Sequence, residues 1–438
     1  MRVQYENHYI IDVYIKMKKQ PPPFHNTTLL AFSIIFFGWG LLTSLNGTLI
    51  AQLDYIFELD DFKKSLINLT FFGTYFFVSL AFFLFSEYKK DLLSLFGYKY
   101  LTVTGLGIAA TGAYLFYPAS TLLSFPLFMG GLFVLASGIT LLQISANTYI
   151  VNLGSSQHSF SRLTVVQALN SLGATLGPIL GTFLIMKTAN LTHEEISLLQ
   201  PDQLLSFRKI QAIAVQSPYW TVAIWLIILG SLIFFLPMPD LVKNNQSIQQ
   251  NKQNNSKLNL YLAALGIFMY VGAEVTIGSN LGAIIDQYYP DMTSDKATVI
   301  YTYWALAMIG RFAGGFILQF VNGGKLLLIF ALSTLCLLTF GIAGSEELSI
   351  YSLAAIGFFN SIMFPGIFAS GLHKLGDYTG RGASLLIMGI AGGAIIPLIY
   401  KSLSLVSGLK VALIIAFICY VYIAYYGRYF QKHSEIVE

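Results

Sequence analysis

Apolar positions in this chain fall in blocks rather than stripes: long runs of Leu, Ile, Phe, Ala and Gly, separated by short polar clusters. A helix rises 1.5 Å per residue, so roughly 20 apolar residues cross the hydrocarbon core of a bilayer. Twelve runs meet that length. In the first half they cover residues 27–53, 62–86, 98–119, 122–151, 161–186 and 219–236. In the second half they cover 259–285, 297–320, 325–344, 348–372, 382–405 and 411–426. The pattern predicts an all-α membrane protein with twelve transmembrane helices.

Residues 240–257, rich in Asn, Gln, Lys and Ser, interrupt the pattern near its middle and read as a polar linker. Six spans lie on each side. The chain therefore divides into a tail at 1–26, a six-helix bundle at 27–239, the linker, a second six-helix bundle at 258–426, and a tail at 427–438. Paired halves with a site at the midplane between them are a recurrent transporter plan.

Composition sharpens this picture. Hydrophobic residues make up 55% of the 438 and charged residues 11%, against about 25% charge in a soluble domain; mean hydropathy is +0.66. Cytoplasmic loops retain Lys and Arg. With both termini inside, seventeen of the 25 cations fall on the inner side and eight on the outer, so the net charge of +4 reflects topology rather than nucleic-acid binding. The first 26 residues end in Pro21-Pro22-Pro23 and lack a signal-peptide pattern. Cys336 and Cys419 fall inside predicted spans and read as packing residues, with no disulfide framework or metal cluster implied. The outer loop from 187 to 218 contains Thr192 and Glu195 at capping-box spacing, which predicts a short surface helix, read as a solvated connector more readily than as a lid over the entrance.

One carboxylate, Glu274, falls in the middle of a span. Even lenient insertion scales put an intramembrane acid at roughly 2.5–3.5 kcal/mol, so such groups usually serve an ion or substrate path. No cation in the predicted topology shares its depth. Glu274 is accordingly the candidate for coupling to a proton or to sodium; the structural alternative is a protonated Glu bonding a neighbouring helix. Arg311, at the inner end of its span, reads as a snorkelling cation more readily than as a gate latch.

The other polar candidates within spans are amides: Asn46, Gln143, Asn147, Gln167, Asn170, Asn280 and Asn360. An amide both donates and accepts hydrogen bonds, as a sugar hydroxyl does. With the aromatic faces of Trp39, Tyr270, Tyr303 and Trp304, they suit a neutral hexose; the alternative use is bonding between helices, worth about 0.6 kcal/mol on average. Small residues around Pro178 and Pro397 suit close, bendable helix contacts.

Several segments in order resemble the fucose/galactose/glucose symporters of the major facilitator superfamily, in particular the glucose/galactose permease branch. They are Leu45-Asn46-Gly47-Thr48, Phe72-Gly73-Thr74-Tyr75, Gln143 to Asn147, Gln167 to Gly173, Tyr270 to Glu274, Tyr303-Trp304, Gly310-Arg311-Phe312, Asn360 to Pro365 and Gly392 to Pro397. The resemblance covers about residues 30–425. It implies the two-bundle major facilitator fold and a secondary transporter importing a monosaccharide such as glucose, galactose or fucose by alternating access. The expected setting is a bacterial cytoplasmic (inner) membrane, with a monomer in the lipid bilayer, a sugar and a coupling ion as partners, and no cofactor or enzymatic activity. Two departures stand out. Gly47 occupies the place of the family's proton-handling Asp, and Gln143 that of a Glu in the fucose branch. The stretch from Glu87 to Tyr98 also lacks the usual Gly start of the family's gating motif. Missing acids keep open a facilitative uniporter and a sugar receptor without net transport.

Overall fold

The computed structural model describes residues 24–88, 90–184, 191, 195–196, 198–239, 241, 253–290 and 296–434. Among these, twelve long helical segments run back and forth. They are α1 Phe24–Phe57, α2 Asp61–Tyr88, α3 Leu92–Thr121, α4 starting as Phe125–Leu142, α5 Ser159–Leu184 and α6 Pro201–Phe235. Then come α7 Gln253–Tyr288, α8 Lys296–Ile317, α9 Gly323–Ala343, α10 in two pieces (Glu346–Asn360 and Met363–Gly371), α11 starting as Thr379–Met388, and α12 Ile414–Ser434. Eleven are long and apolar enough to cross a membrane on composition alone. The remaining one, α8, is made more polar by Arg311 and by Tyr301-Thr302-Tyr303-Trp304.

The helix contacts repeat. In the first half α1 packs on α5 and α6, α3 on α4 and α6, and α2 on α4. In the second half α7 packs on α11 and α12, α9 on α10 and α12, and α8 on α10. Each contact has its counterpart six helices later, as two structural repeats require. Close approaches depend on glycine. A Cβ at Gly173 of α5 would lie 1.9 Å from the Phe37 carbonyl of α1, and one at Gly392 of α11 would lie 1.9 Å from that of Phe268 in α7.

Several boundaries differ from the sequence expectation. Helix α6 starts at Pro201 rather than near 219 and passes through Pro218. Its early turns are amphipathic, so hydropathy misses them, and reciprocal Gln200 and Gln203 side-chain bonds cap its start. The capping box at Thr192 lies outside the described residues. So does most of the linker; its last residues, from Gln253, already belong to α7, and α12 continues through 427–434 of the expected tail. Cys419 is buried as expected, but Cys336 is exposed.

Three interruptions shape the interior. Helix α4 widens into a π turn at Gln143–Asn147 before ending as Thr148–Asn152. Helix α11 tightens into a 3-10 turn at Gly389–Ala391 and continues as Gly392–Ser407. Helix α10 breaks at Ser361 and Ile362, four residues ahead of Pro365. Proline has no N–H to return to the carbonyl four residues earlier, so the Ser361 carbonyl is left for another donor.

Candidate functional site

The two bundles meet through α2 with α11 and through α5 with α8 and α10. At the end that carries the connections α2–α3, α4–α5, α8–α9 and α10–α11, the contacts are tight. The Gly380 amide donates to the Asp91 carboxylate at 2.9 Å, and Arg381 pairs with Glu87 at 3.1 Å. The Arg381 guanidinium and the Lys257 ammonium both lie over the Tyr378 ring, at 5.1 and 5.2 Å. The Ser161 hydroxyl donates to the Gly315 carbonyl at 2.6 Å, and Phe160 is set against Gly323 and Gly366. Asp91 also caps the first turn of α3, which is kinked at Gly97 (φ 76°) before the span proper. The segment that lacked the usual Gly start thus still supplies an acid to the contact between the bundles. Burial pushes the Asp91 carboxyl above its ordinary value, countered by the Leu93 and Gly380 amides and the Arg381 charge.

Deeper in, the first bundle contributes amides. The π turn buries Gln143 and Asn147 on α4. Gln143 and the Trp39 indole both lie beside the Tyr75 hydroxyl. Gln167 of α5 donates from Nε2 to Oδ1 of Asn147 at 3.0 Å, while Nδ2 of Asn147 is buried with no partner among the described residues. Asn170, half-buried, donates to the Phe36 carbonyl of α1 at 2.9 Å. Gly47 of α1 is exposed, and a Cβ added there would meet nothing within 4 Å. The backbone of Asn46 is in α1, but its side chain lies outside the described set.

The second bundle contributes the charges, and here the sequence expectation needs correction. Arg311 does not snorkel. Its side chain is 13% exposed and that of Glu274 14%, and the two groups stand 4.0 Å apart. Nε of Arg311 donates at 3.1 Å to the Ser361 carbonyl, the group that Pro365 leaves without a helical partner. Its Nη1 crosses to the first bundle, donating to the Ser171 hydroxyl and, at a long 3.5 Å, to the Gln167 carbonyl. A cation does share the depth of Glu274. Sequence reasoning missed it by measuring Arg311 from the end of its own span; the break before Pro365 was the available signal.

Behind this pair lies a saturated network. The Tyr303 hydroxyl donates to the Glu274 backbone carbonyl at 3.3 Å and accepts from Nδ2 of Asn360 at 2.9 Å. The Tyr420 hydroxyl donates to Oδ1 of Asn360 at 2.8 Å. Tyr303 and Asn360 are fully buried, so their polar atoms engage one another and fix the α7 backbone at Glu274. The Tyr270 hydroxyl approaches the Glu274 carboxylate without closing a full hydrogen bond. Asn280 donates to the Thr276 carbonyl of its own helix, and Trp304 is 39% exposed. The structure thus brings Gln167 and Asn147 together with the Arg311–Glu274 pair at the bundle interface. Asn170 and Gln143 flank them, and Tyr303 and Asn360 stand behind.

A family profile described as "Major Facilitator Superfamily" matches residues 28–398. A glucose/galactose transporter of Brucella abortus is 38% identical over 91% of this chain and 93% of its own length. A putative glucose/galactose transporter of Helicobacter pylori is 36% identical over 94% and 98%. The L-fucose-proton symporter of Escherichia coli is 28% identical over 90% and 91%. Solved structures of the E. coli fucose:proton symporter, one of them described as in the outward conformation, superpose with a TM-score of 0.83 at 26% identity, covering 93% of this chain and 99% of theirs. Six-plus-six helices with repeated packing, a charged pair at the bundle interface, and a match over most of the sequence converge: this multi-pass membrane protein belongs to the Major Facilitator Superfamily.

Proposed function

We propose that the chain imports a neutral hexose, of the glucose or galactose type, across a cytoplasmic membrane by alternating access, with a cation handled at Glu274. The substrate class rests on relatives named glucose/galactose transporter at 38% and 36% identity and on an interface furnished with amides. Gln143, Asn147, Gln167 and Asn170 offer donors and acceptors without net charge, and Nδ2 of Asn147 lacks a partner among the described residues. The end bearing Asp91, Gly380 and Arg381 is assigned to the cytoplasm, as the cation bias favours; the bundles are closed there, so the conformation described is the one that would load sugar from outside.

The observation that carries the coupling role is the placement of Glu274 at the interface, facing one guanidinium at 4.0 Å. A carboxyl held that loosely can take up a proton on one side and release it on the other as the bundles rock. Sodium held by the ionised form is the rival. In proteoliposomes, Glu274→Gln keeps the shape of the side chain but cannot change charge. It should retain counterflow of labelled glucose and lose gradient-driven accumulation. Accumulation equal to the parent's would remove the coupling role, and absence of counterflow in the parent would favour a receptor.

A further inference from the structure

The coupling role of Glu274 leaves one contact unused, that of Arg311 with the other bundle. A guanidinium has five N–H donors and no acceptor, and it stays charged in proteins. In the interior of a bilayer that charge must be answered by a counter-ion or by several acceptors. Arg311 has both. Ser361 anchors Nε within its own bundle, Glu274 faces Nη2, and the Ser171 hydroxyl with the Gln167 carbonyl receives Nη1 from across the interface. Ser171 in turn donates to that same Gln167 carbonyl at 3.3 Å.

These acceptors are engaged together through different nitrogens but belong to different bundles. When Glu274 is ionised, the charge of Arg311 is balanced inside the second bundle. When Glu274 is protonated, that balance is lost and the guanidinium depends on Ser171 and Gln167, which it reaches only while the bundles are closed at the Asp91–Gly380 end. The titratable side chains around the pair, among the described residues, are Tyr270 of α7, Tyr303 of α8 and Tyr420 of α12. Among the described residues of α5 and α10, the polar groups bonded to the pair or to its neighbours are the neutral Gln167, Ser171, Asn360 and Ser361.

We infer that Arg311, acting through Ser171, is a positioning residue that guards against proton leak: with Glu274 protonated and the sugar site empty, it ties the bundles together and forbids the conformational change. Sugar releases the guard by drawing on the Gln167 side-chain amide, which bonds Asn147 and sits on the same helical turn as the Gln167 backbone carbonyl and the Ser171 hydroxyl of the tie. Only the doubly loaded carrier then moves. This inference rests on the coupling role proposed for Glu274 and adds to it a reason why an empty, protonated carrier stays still.

The test uses the full chain in proteoliposomes, with a trapped pH-sensitive dye and an imposed pH gradient. Ser171→Ala removes one hydroxyl that receives a charged donor. It should raise sugar-free proton entry by about tenfold and lower the accumulation ratio for glucose, while glucose counterflow persists. Ser171→Thr restores a hydroxyl and should restore tightness. In Ser171→Ala combined with Glu274→Gln the leak should vanish; if it persists, Glu274 is not the proton carrier, and the coupling reading fails while the tie stands. A Ser171→Ala protein as tight as the parent, or a Ser171→Thr protein as leaky as Ser171→Ala, overturns the guard.

Discussion

Asp91 to Ala is the perturbation whose size can be worked most directly from the structure. The residue is 7% exposed, and its carboxylate accepts from the Gly380 amide of the opposite bundle at 2.9 Å and faces the charge of Arg381. A hydrogen bond to a charged group contributes about 1.5–3 kcal/mol. Arg381 keeps its pairing with Glu87, whose side chain is 54% exposed, and a surface pair of that kind contributes at most about 1 kcal/mol. Asp91 also caps α3 through Leu93 at 3.2 Å, but that bond lies within one bundle and weakens open and closed states alike. The net shift is therefore about 2 kcal/mol toward the conformation open at this end, roughly 30-fold in population. A reporter sits nearby: Ser161 is 5% exposed and bonded across the interface to the Gly315 carbonyl. With Cys336 and Cys419 replaced by Ser, a Ser161→Cys protein should be alkylated from this side about 30 times faster with Asp91→Ala than with Asp91 intact. A rate change under about twofold would show that Asp91 does not hold this end closed.

Two further outcomes follow from the same structure. Replacing Gln143 or Asn170 by Ala should weaken glucose binding by about 1–3 kcal/mol while membrane expression persists; unchanged affinity in both variants by calorimetry would take them out of the site. Burial, with Lys374 beside it, holds the His373 imidazole down at about 4, so the unfolded chain binds the extra proton as the pH falls from about 6.5 toward 4. Stability should be insensitive to this group above pH 6.5 and fall below it, by at most about 2 kcal/mol at pH 5. Thermal unfolding should show a smaller loss between pH 7.5 and 5 for His373→Gln than for the parent, and an equal loss would assign the acid sensitivity to other groups.

How much of this was legible in the sequence depends on the range of the interaction concerned. Spanning segments are local, and the apolar runs fall on the twelve long helices, although α8 is short of the others in apolar composition. The start of α6 escaped because the turns after Pro201 are amphipathic, and Pro218 read as a boundary where the helix in fact continues. Glu274 was conspicuous because an acid among apolar neighbours violates a local rule. Its partner was not, since Arg311 lies on the next helix and its further partner Ser171 is 140 residues away; hydropathy carries no information about which faces of two helices turn toward each other. Tyr303 and Asn360 were identifiable as polar groups within spans. Their bond to each other, which leaves their polar atoms engaged with protein in this conformation, depends on α8, α10 and α12 meeting at one depth.

The π turn in α4 takes one residue more than an α turn before the chain returns to the same face. It therefore acts as a phase shift of about 100° in the middle of a membrane helix. On one side of it the α4 face packs on α3, through contacts such as Gly138 against Ala109. On the other side Arg162 grips the Ile150 and Val151 carbonyls at 3.2 and 2.8 Å, and within the turn Asn147 meets Gln167. Removing any one residue from 143–147 would leave a helix of nearly the same length and hydropathy, still able to insert, but with these faces turned against one another. A single inserted residue thus lets the amide-bearing turn and the gate-side end of α4 be aimed independently, which a regular helix of the same composition cannot do.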